Sequence, residues 1–327
     1  MRQQLARALL MQTFGVLIAA SAGLAQAQSA PEALEWLRRI YQATHDLSYT
    51  GTFVYQQGNH SETSRITRRA DTRGNVEKLE VLDGVPREIL RTDDAIRCYL
   101  PSSRTVKVDR RSDRRGFPTL LQGEISALAE NYTVTKGESR RVAGYACQEI
   151  VLTPKDDLRY GYKLYADAST GMLLKAVTFD DKGETVEQFT FTQLAIGNVS
   201  RDKVKPWPTT RNWRVEDTDA TPANLEQAGW TIGADLPGFR KVAEVTRTLH
   251  KSRPVDQVVY SDGLAAISVF IEPVAAGSKP VQTGLANVGA INIYTREVAN
   301  HRVTVVGETP ASSVQRVAEA VNYRQPH

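Results

Sequence analysis

What most limits the fold open to this chain is the spacing of its turn signals. The extended runs Tyr49–Gln56, Ser61–Arg69, Val76–Leu82, Arg87–Arg91, Ile96–Leu100 and Thr105–Asp109 follow one another closely. Between them stand Gln57-Gly58-Asn59, Arg73-Gly74-Asn75, Asp83-Gly84 and Pro101-Ser102-Ser103. Gaps this short join antiparallel neighbours, because a parallel crossover needs a dozen residues or more. The series resumes at Tyr132–Ser139, Cys147–Thr153, Tyr160–Asp167, Leu173–Asp180 and Thr185–Ile196. Here Ala168-Ser169-Thr170-Gly171 and Asp180-Asp181-Lys182-Gly183 place a glycine where a hairpin backbone can take positive φ.

Helical spacing is confined to a few places in this part of the chain. Pro31–Asp46 carries Leu34, Leu37, Ile40 and Tyr41 on one face, with Pro31 suited to a first turn. Pro118–Asn131 carries Leu121, Ile125, Leu128 and Ala129 in the same way. The pattern predicts an α+β fold with a large curled antiparallel sheet, a half-barrel with helices on its concave face. Such a sheet can enclose an apolar cavity. Phe53, Tyr55, Tyr99, Tyr162, Leu164, Phe179, Phe189 and Phe191 are the residues that would either line it or fill a core, and their types do not separate the two.

Arg201–Val215 interrupts the pattern, and Lys205-Pro206-Trp207-Pro208 fixes two φ angles and removes two backbone donors. It reads as an interdomain linker, with Trp207 and Trp213 available to pack on a neighbour. Pro222–Trp230 then reads as a short helix. Arg240–Arg247, Gln257–Ser261, Ala265–Ile271, Gly289–Glu297 and His301–Val306 read as strands, and Gly277–Gly284 as a loop. A closing helix starts at Pro310, with Thr309 as its cap and Val314, Val317, Ala318 and Val321 along one face. The expected division is an N-terminal domain over 28–200, a linker over 201–215 and a smaller α+β C-terminal domain over 216–327.

The first 27 residues read as an export signal. Arg2 and Arg7 precede a mostly apolar stretch, and Ala25-Gln26-Ala27 has the small-residue pattern of a cleavage site. Cleavage after Ala27 predicts a soluble periplasmic protein with no lipidated cysteine. The chain has 41 Lys and Arg against 37 Asp and Glu, a net +4. Two of those arginines belong to the signal, so the remainder is near neutral and offers no case for nucleic acid. Cys98 and Cys147 form an even pair in an oxidising compartment, which predicts a disulfide between them.

No nucleophile elbow, P-loop, zinc-binding His pair or dinucleotide fingerprint is present. The five histidines are scattered, so no metal, cofactor or catalytic residue is expected and the chain reads as a binding protein. Positive charge is densest at Arg104, Lys107, Arg110, Arg111, Arg114 and Arg115, opposed only by Asp109 and Asp113. The segment reads either as solvated loop charge or as a contact for anionic lipid head groups or acidic partner side chains.

An ordered set of motifs adds a resemblance. Val142-Ala143-Gly144-Tyr145-Ala146-Cys147-Gln148, Tyr160-Gly161-Tyr162-Lys163-Leu164-Tyr165-Ala166-Asp167 and Thr170-Gly171-Met172-Leu173-Leu174-Lys175 resemble the RseB/MucB family. So do Glu187-Gln188-Phe189 with Phe191-Thr192, Tyr260-Ser261-Asp262-Gly263-Leu264, Ser268-Val269-Phe270-Ile271-Glu272 and Val303–Pro310. The resemblance implies a periplasmic, non-enzymatic regulator of the envelope-stress sigma factor. It implies binding to the periplasmic domain of a transmembrane anti-sigma factor and protection of that factor from site-1 proteolysis. It also implies a first domain similar to lipoprotein carriers, and release promoted by lipopolysaccharide or by lipoprotein acyl chains. The smaller domain would hold the partner, and self-association as a homo-oligomer is implied too. A periplasmic lipoprotein or lipid carrier is the competing reading, against which the extra domain weighs.

Overall fold

The computed structural model describes residues 31–325 apart from 73, 111–116, 122, 208–209, 218–219, 250–252, 276 and 278–279. A helix, α1, spans 31–46 as its spacing predicts. The strands that follow are β1 (Tyr49–Gln57), β2 (His60–Asp71), β3 (Gly74–Val81), β4 (Glu88–Thr92), β5 (Ile96–Leu100) and β6 (Thr105–Asp109). After α2 (Ile125–Asn131) come β7 (Tyr132–Val142), β8 (Tyr145–Pro154), β9 (Gly161–Asp167), β10 (Leu173–Phe179) and β11 (Thr185–Ile196). With β12 (Arg214–Asp217) they form one twelve-stranded sheet in the order β12-β6-β5-β4-β3-β2-β1-β11-β10-β9-β8-β7. The sheet ends on β12 and β7 and does not close. All its pairings are antiparallel except β12 with β6, which is parallel.

The second sheet has seven strands in the order β13-β15-β16-β17-β20-β19-β18. These are β13 (Ala220–Pro222), β15 (Arg240–Leu249), β16 (Arg253–Ser261), β17 (Ala266–Pro273), β18 (Gly284–Val288), β19 (Ile291–Val298) and β20 (His301–Gly307). α3 (Ala311–Glu319) packs on it, and β14 (Trp230–Ile232) pairs with β21 (Val321–Tyr323). Val314, Val317 and Ala318 bury against Val258, Ile267, Val269, Ile271, Val303 and Val305, as the helical spacing requires.

Directly opposed residues in antiparallel strands share a face, so the registers sort the first sheet into two sides. One side carries Tyr49, Phe53, Ile66, Leu164 and Phe191, and α1 buries Ala33, Leu37 and Ile40 in the same cluster. α2 adds Ile125 and Leu128 to it. Over β3 to β6 the opposite side has its own cluster of Leu90, Tyr99, Val106 and Val108, covered by Trp207 and Trp213. The segment read as a linker is therefore a strap across the back of the first sheet. Its two tryptophan rings lie 6.3 Å apart, and β12 extends the strap into the sheet edge.

Several expectations fail for identifiable reasons. Pro118–Asn131 is helical only from Ile125, because Gly123 takes φ 67 and ends any continuous helix there. Pro222–Trp230 forms a strand end and turns rather than a helix, with Gly229 at φ 91. β18, which begins where the expected Gly277–Gly284 loop ends and hairpins with β19, is a strand the spacing does not predict. Thr309 does not cap α3: the cap position is Pro310, and the buried Thr309 hydroxyl has no hydrogen-bond partner. The disulfide is also corrected, since Cys98 and Cys147 are both free thiols. Cys98 lies on β5 and Cys147 on β8, with seven strands between them in the sheet.

Candidate functional site

Three features converge on the helix-bearing side of the first sheet and its border with the second. The first is an aromatic knot. Phe117 inserts between Phe53, Phe189 and Phe191, with ring centroids 5.3, 5.4 and 5.1 Å away. Tyr49 meets Phe191 edge-on at 6.4 Å, and Tyr55 lies 4.7 Å from Phe189. Gly51 makes this packing possible: a Cβ there would stand 2.6 Å from the Phe191 ring. Of the predicted cavity residues, Phe53, Tyr162, Leu164 and Phe191 are buried in this core, and Phe189 and Tyr55 sit half-buried at its border. Two lie elsewhere. Tyr99 belongs to the opposite face, under Trp207 and Trp213. Phe179 covers the bare backbone of Gly161 and lies 5.5 Å from the Lys163 ammonium, outside the core cluster.

The second feature is a row that sequence reading missed. Gly51, Ile66, Leu79, Ile89, Cys98 and Lys107 stand opposite one another across six strands, from β1 to β6. They therefore share the helix-bearing face. Ile66 is buried, but Leu79, Ile89 and Cys98 are only half-buried, as are Val81, Ile96 and Leu100 beside them. The result is a partly open apolar strip with a cation at its far end. Alternation could not reveal it, because β4 and β5 carry apolar residues on both faces. Burial and the nearby Arg87 and Lys107 charges act oppositely on the Cys98 thiol; burial wins and its pKa is raised.

The basic segment lies at that same far edge. Arg104 is exposed in a left-handed turn with φ 46, and its carbonyl accepts a hydrogen bond from the Arg214 amide at 2.9 Å. Arg110 pairs with Asp217 of β12 at 3.0 Å. Arg111, Arg114 and Arg115 lie outside the described residues.

The third feature is the seam between the sheets. The Arg159 side chain is fully buried and reaches Asp262, also fully buried, at 2.9 Å. Tyr132 donates its hydroxyl to the same Asp262 oxygen at 3.1 Å. The other Asp262 oxygen accepts the Leu264 and Ala265 amides at 2.9 and 2.7 Å. Arg159 also donates to the Pro237 carbonyl at 2.5 Å and lies 4.8 Å from the Phe239 ring. Further along, Asn292 donates to the Tyr160 hydroxyl at 3.0 Å, Ser313 to the Leu158 carbonyl at 2.9 Å, and Arg247 pairs with Asp109 at 3.1 Å. A buried ion pair needs its remaining donors and acceptors satisfied to hold its place, and most of this seam meets that condition.

Nothing here assembles a reactive centre. Among the described residues no group of three His, Cys, Asp or Glu side chains could hold a metal, and no helix is long and apolar enough to cross a membrane. The arrangement suits binding: a half-open apolar strip, an edge with cations, and two sheets joined by a buried polar seam.

Comparison with known proteins places this arrangement among others. A model described as the MucB/RseB N-terminal domain matches residues 32–211, and one described as the MucB/RseB C-terminal domain matches residues 224–322. The sigma factor AlgU regulatory protein MucB of Pseudomonas aeruginosa is 31% identical, over 90% of this chain and 92% of its own. The sigma-E factor regulatory protein RseB of Escherichia coli is 24% identical, over 91% and 93%. The complex structure of Pseudomonas aeruginosa MucA/MucB superposes with a TM-score of 0.71 at 27% identity, covering 90% of this chain and 99% of that one. MucB in complex with MucA(peri) gives 0.69 at 28% identity, over 89% and 99%.

Proposed function

Because this chain belongs to the MucB/RseB family, we propose that it binds the periplasmic domain of a transmembrane anti-sigma factor and hinders the site-1 protease that would cut it. The family consists of regulatory proteins that bind an anti-sigma factor and are not enzymes. The observation that carries the proposal is coverage. Similarity runs through both sheets and the seam, and two similar structures contain MucB with MucA. In this reading the chain is exported, cleaved after Ala27 and resident in the periplasm. It divides into a carrier-like domain over 28–200, a strap over 201–215 and a partner-binding domain over 216–327.

A lipid-type signal promotes release. The half-open strip of Leu79, Ile89 and Cys98 supports this part, since acyl chains gain about 0.8 kcal/mol per buried CH₂ on such a surface. Arg104, Lys107 and the arginines that follow would meet anionic head groups of lipopolysaccharide at the strip's end. The same strip favours the second reading, a lipid or lipoprotein carrier. One experiment separates them. The mature chain is mixed with the periplasmic anti-sigma domain and a site-1 protease, with and without lipopolysaccharide. The regulator slows cleavage, and lipid restores it. A carrier binds lipid and leaves the cleavage rate untouched.

A further inference from the structure

One free edge of the first sheet joins two segments that are far apart in the chain. β12 pairs in parallel with β6, from Arg214 opposite Thr105 to Asp217 opposite Val108, and the Arg214 amide donates to the Arg104 carbonyl at 2.9 Å. The strap that leads into β12 covers the back of β4 to β6. Edge and strap, residues 104–110 and 201–217, hold eight Lys and Arg against four Asp and Glu, an excess of +4. The whole chain is also +4, and Arg2 and Arg7 supply two of those charges. Outside the first 27 residues the net is therefore +2, so everything beyond edge and strap sums to −2. Positive charge is gathered at this edge.

Seven of the eight cations are exposed, and the eighth, Lys107, is half-buried on the strip-bearing face. Arg110, Arg201, Lys205 and Arg214 each have a carboxylate neighbour, Asp217, Asp71, Asp202 and Glu216. Among the described residues Arg104, Lys203 and Arg211 have none. Charge on a sheet edge also deters pairing with another sheet, but that purpose needs no excess of one sign. Apolar contact surface is scarce here. Trp207 and Trp213 are turned onto Leu90, Tyr99, Val106 and Val108, which leaves Val215, 65% exposed, as the large apolar side chain on the outside. An acidic protein partner would need buried apolar or aromatic anchors at the centre of its interface, and one valine does not supply them. A planar anionic surface needs no anchor, because it responds to the summed charge of a broad face.

We propose that the β12 edge and the strap form an electrostatic docking face for an anionic phospholipid bilayer. The contact is made by charge and not by insertion. The strap's tryptophans stay packed on the sheet, and the exposed cations meet the head groups. β6 carries Lys107 at the far end of the half-open apolar strip, so docking brings that end of the strip to the lipid surface. Attraction of this kind fades beyond a Debye length and is lost in high salt.

The test uses the full mature chain and no protein partner, so it stands apart from the anti-sigma assignment. The chain is co-sedimented with vesicles of phosphatidylcholine alone and of phosphatidylcholine mixed with phosphatidylglycerol. Binding is expected to the mixed vesicles only, with release near 1 M salt, where the Debye length is about 3 Å. The double variant K203Q/R211Q removes two exposed cations that hold no ion pair, so the melting temperature should stay at the wild-type value. Its vesicle affinity should fall by about fivefold for each cation removed. R140Q/R141Q takes the same charge from exposed positions on β7, the opposite edge of the sheet, and should bind as wild type does. Tryptophan emission should not shift on binding, and a blue shift would mean that the strap inserts, which overturns docking by charge. Equal binding to both vesicle types, or none to the anionic ones, overturns the proposal. So does equal loss in the two double variants, which would assign the effect to net charge, or wild-type binding by K203Q/R211Q, which would assign it to lipid entering the strip.

Discussion

Arg159 Nη1 donates to Asp262 Oδ2 at 2.9 Å, and neither side chain reaches solvent. This pair ties the β8–β9 connection of the first sheet to the β16–β17 turn of the second. Removing one partner leaves the other charge buried and uncompensated, which costs about 3–5 kcal/mol. Arg159→Met is expected to lose about that much in denaturant unfolding. The double variant Arg159→Met/Asp262→Asn should lose less than the sum of the singles, because the second change removes the stranded charge. Strict additivity would mean that the two side chains do not couple.

The aromatic knot gives a second expectation. Phe117 is buried among three phenylalanine rings, and Phe117→Ala is expected to cost about 3–5 kcal/mol. Gly51→Val should also be strongly destabilising, because its side chain would occupy the space of the Phe191 ring. Thermal unfolding checks both. A Gly51→Val protein as stable as wild type would show that the ring can move aside.

The thiols provide a third. Cys98 is half-buried and Cys147 is buried, with a pKa pushed up to about 11 by burial and the neighbouring Asp167. Near neutral pH a thiol reagent should therefore modify native protein slowly and at Cys98 alone. Denatured, unreduced protein should take up two labels. A denatured protein with no reactive thiol would restore the disulfide.

The failure of the disulfide shows where legibility in the sequence ends. Turn spacing alone recovers most of the sheet, and the 31–46 helix follows from four apolar positions and a proline. Both are local properties, set by period and by backbone restriction. Which strands lie side by side is also nearly local here, since neighbours in the chain are mostly neighbours in the sheet. The β1–β11 pairing is not, and it puts β5 and β8 on opposite wings of the sheet. No feature of Cys98 or Cys147 announces that strand order. The strap was half legible: two prolines and two tryptophans mark an irregular, packed segment, but not the face it covers. The type of Tyr99 does not separate core from cavity, and nothing local marks the face on which the strap's tryptophans bury it. The Arg159–Asp262 pair was invisible, because one arginine and one aspartate 103 positions apart carry no spacing signal.

The basic edge gives a fourth expectation. Lys107 ends the half-open strip on the helix-bearing face, whereas Arg110 is held by Asp217. Charge reversal at Lys107 should weaken the lipid response more than reversal at Arg110 alone. Reversal at Arg110, Arg111, Arg114 and Arg115 together should weaken it further. The readout is the lipid concentration that half-restores cleavage. An unchanged value in the fourfold variant removes that segment from lipid contact.

The central claim is that this chain binds and shields an anti-sigma factor. Its most direct test is calorimetric titration of the mature chain, residues 28–327, with the periplasmic domain of the anti-sigma factor encoded in the same genome, followed by a site-1 protease time course on the same mixture. The account predicts saturable binding and a cleavage rate that falls as binding saturates. No heat of binding, together with cleavage at the rate of the free domain, would contradict it.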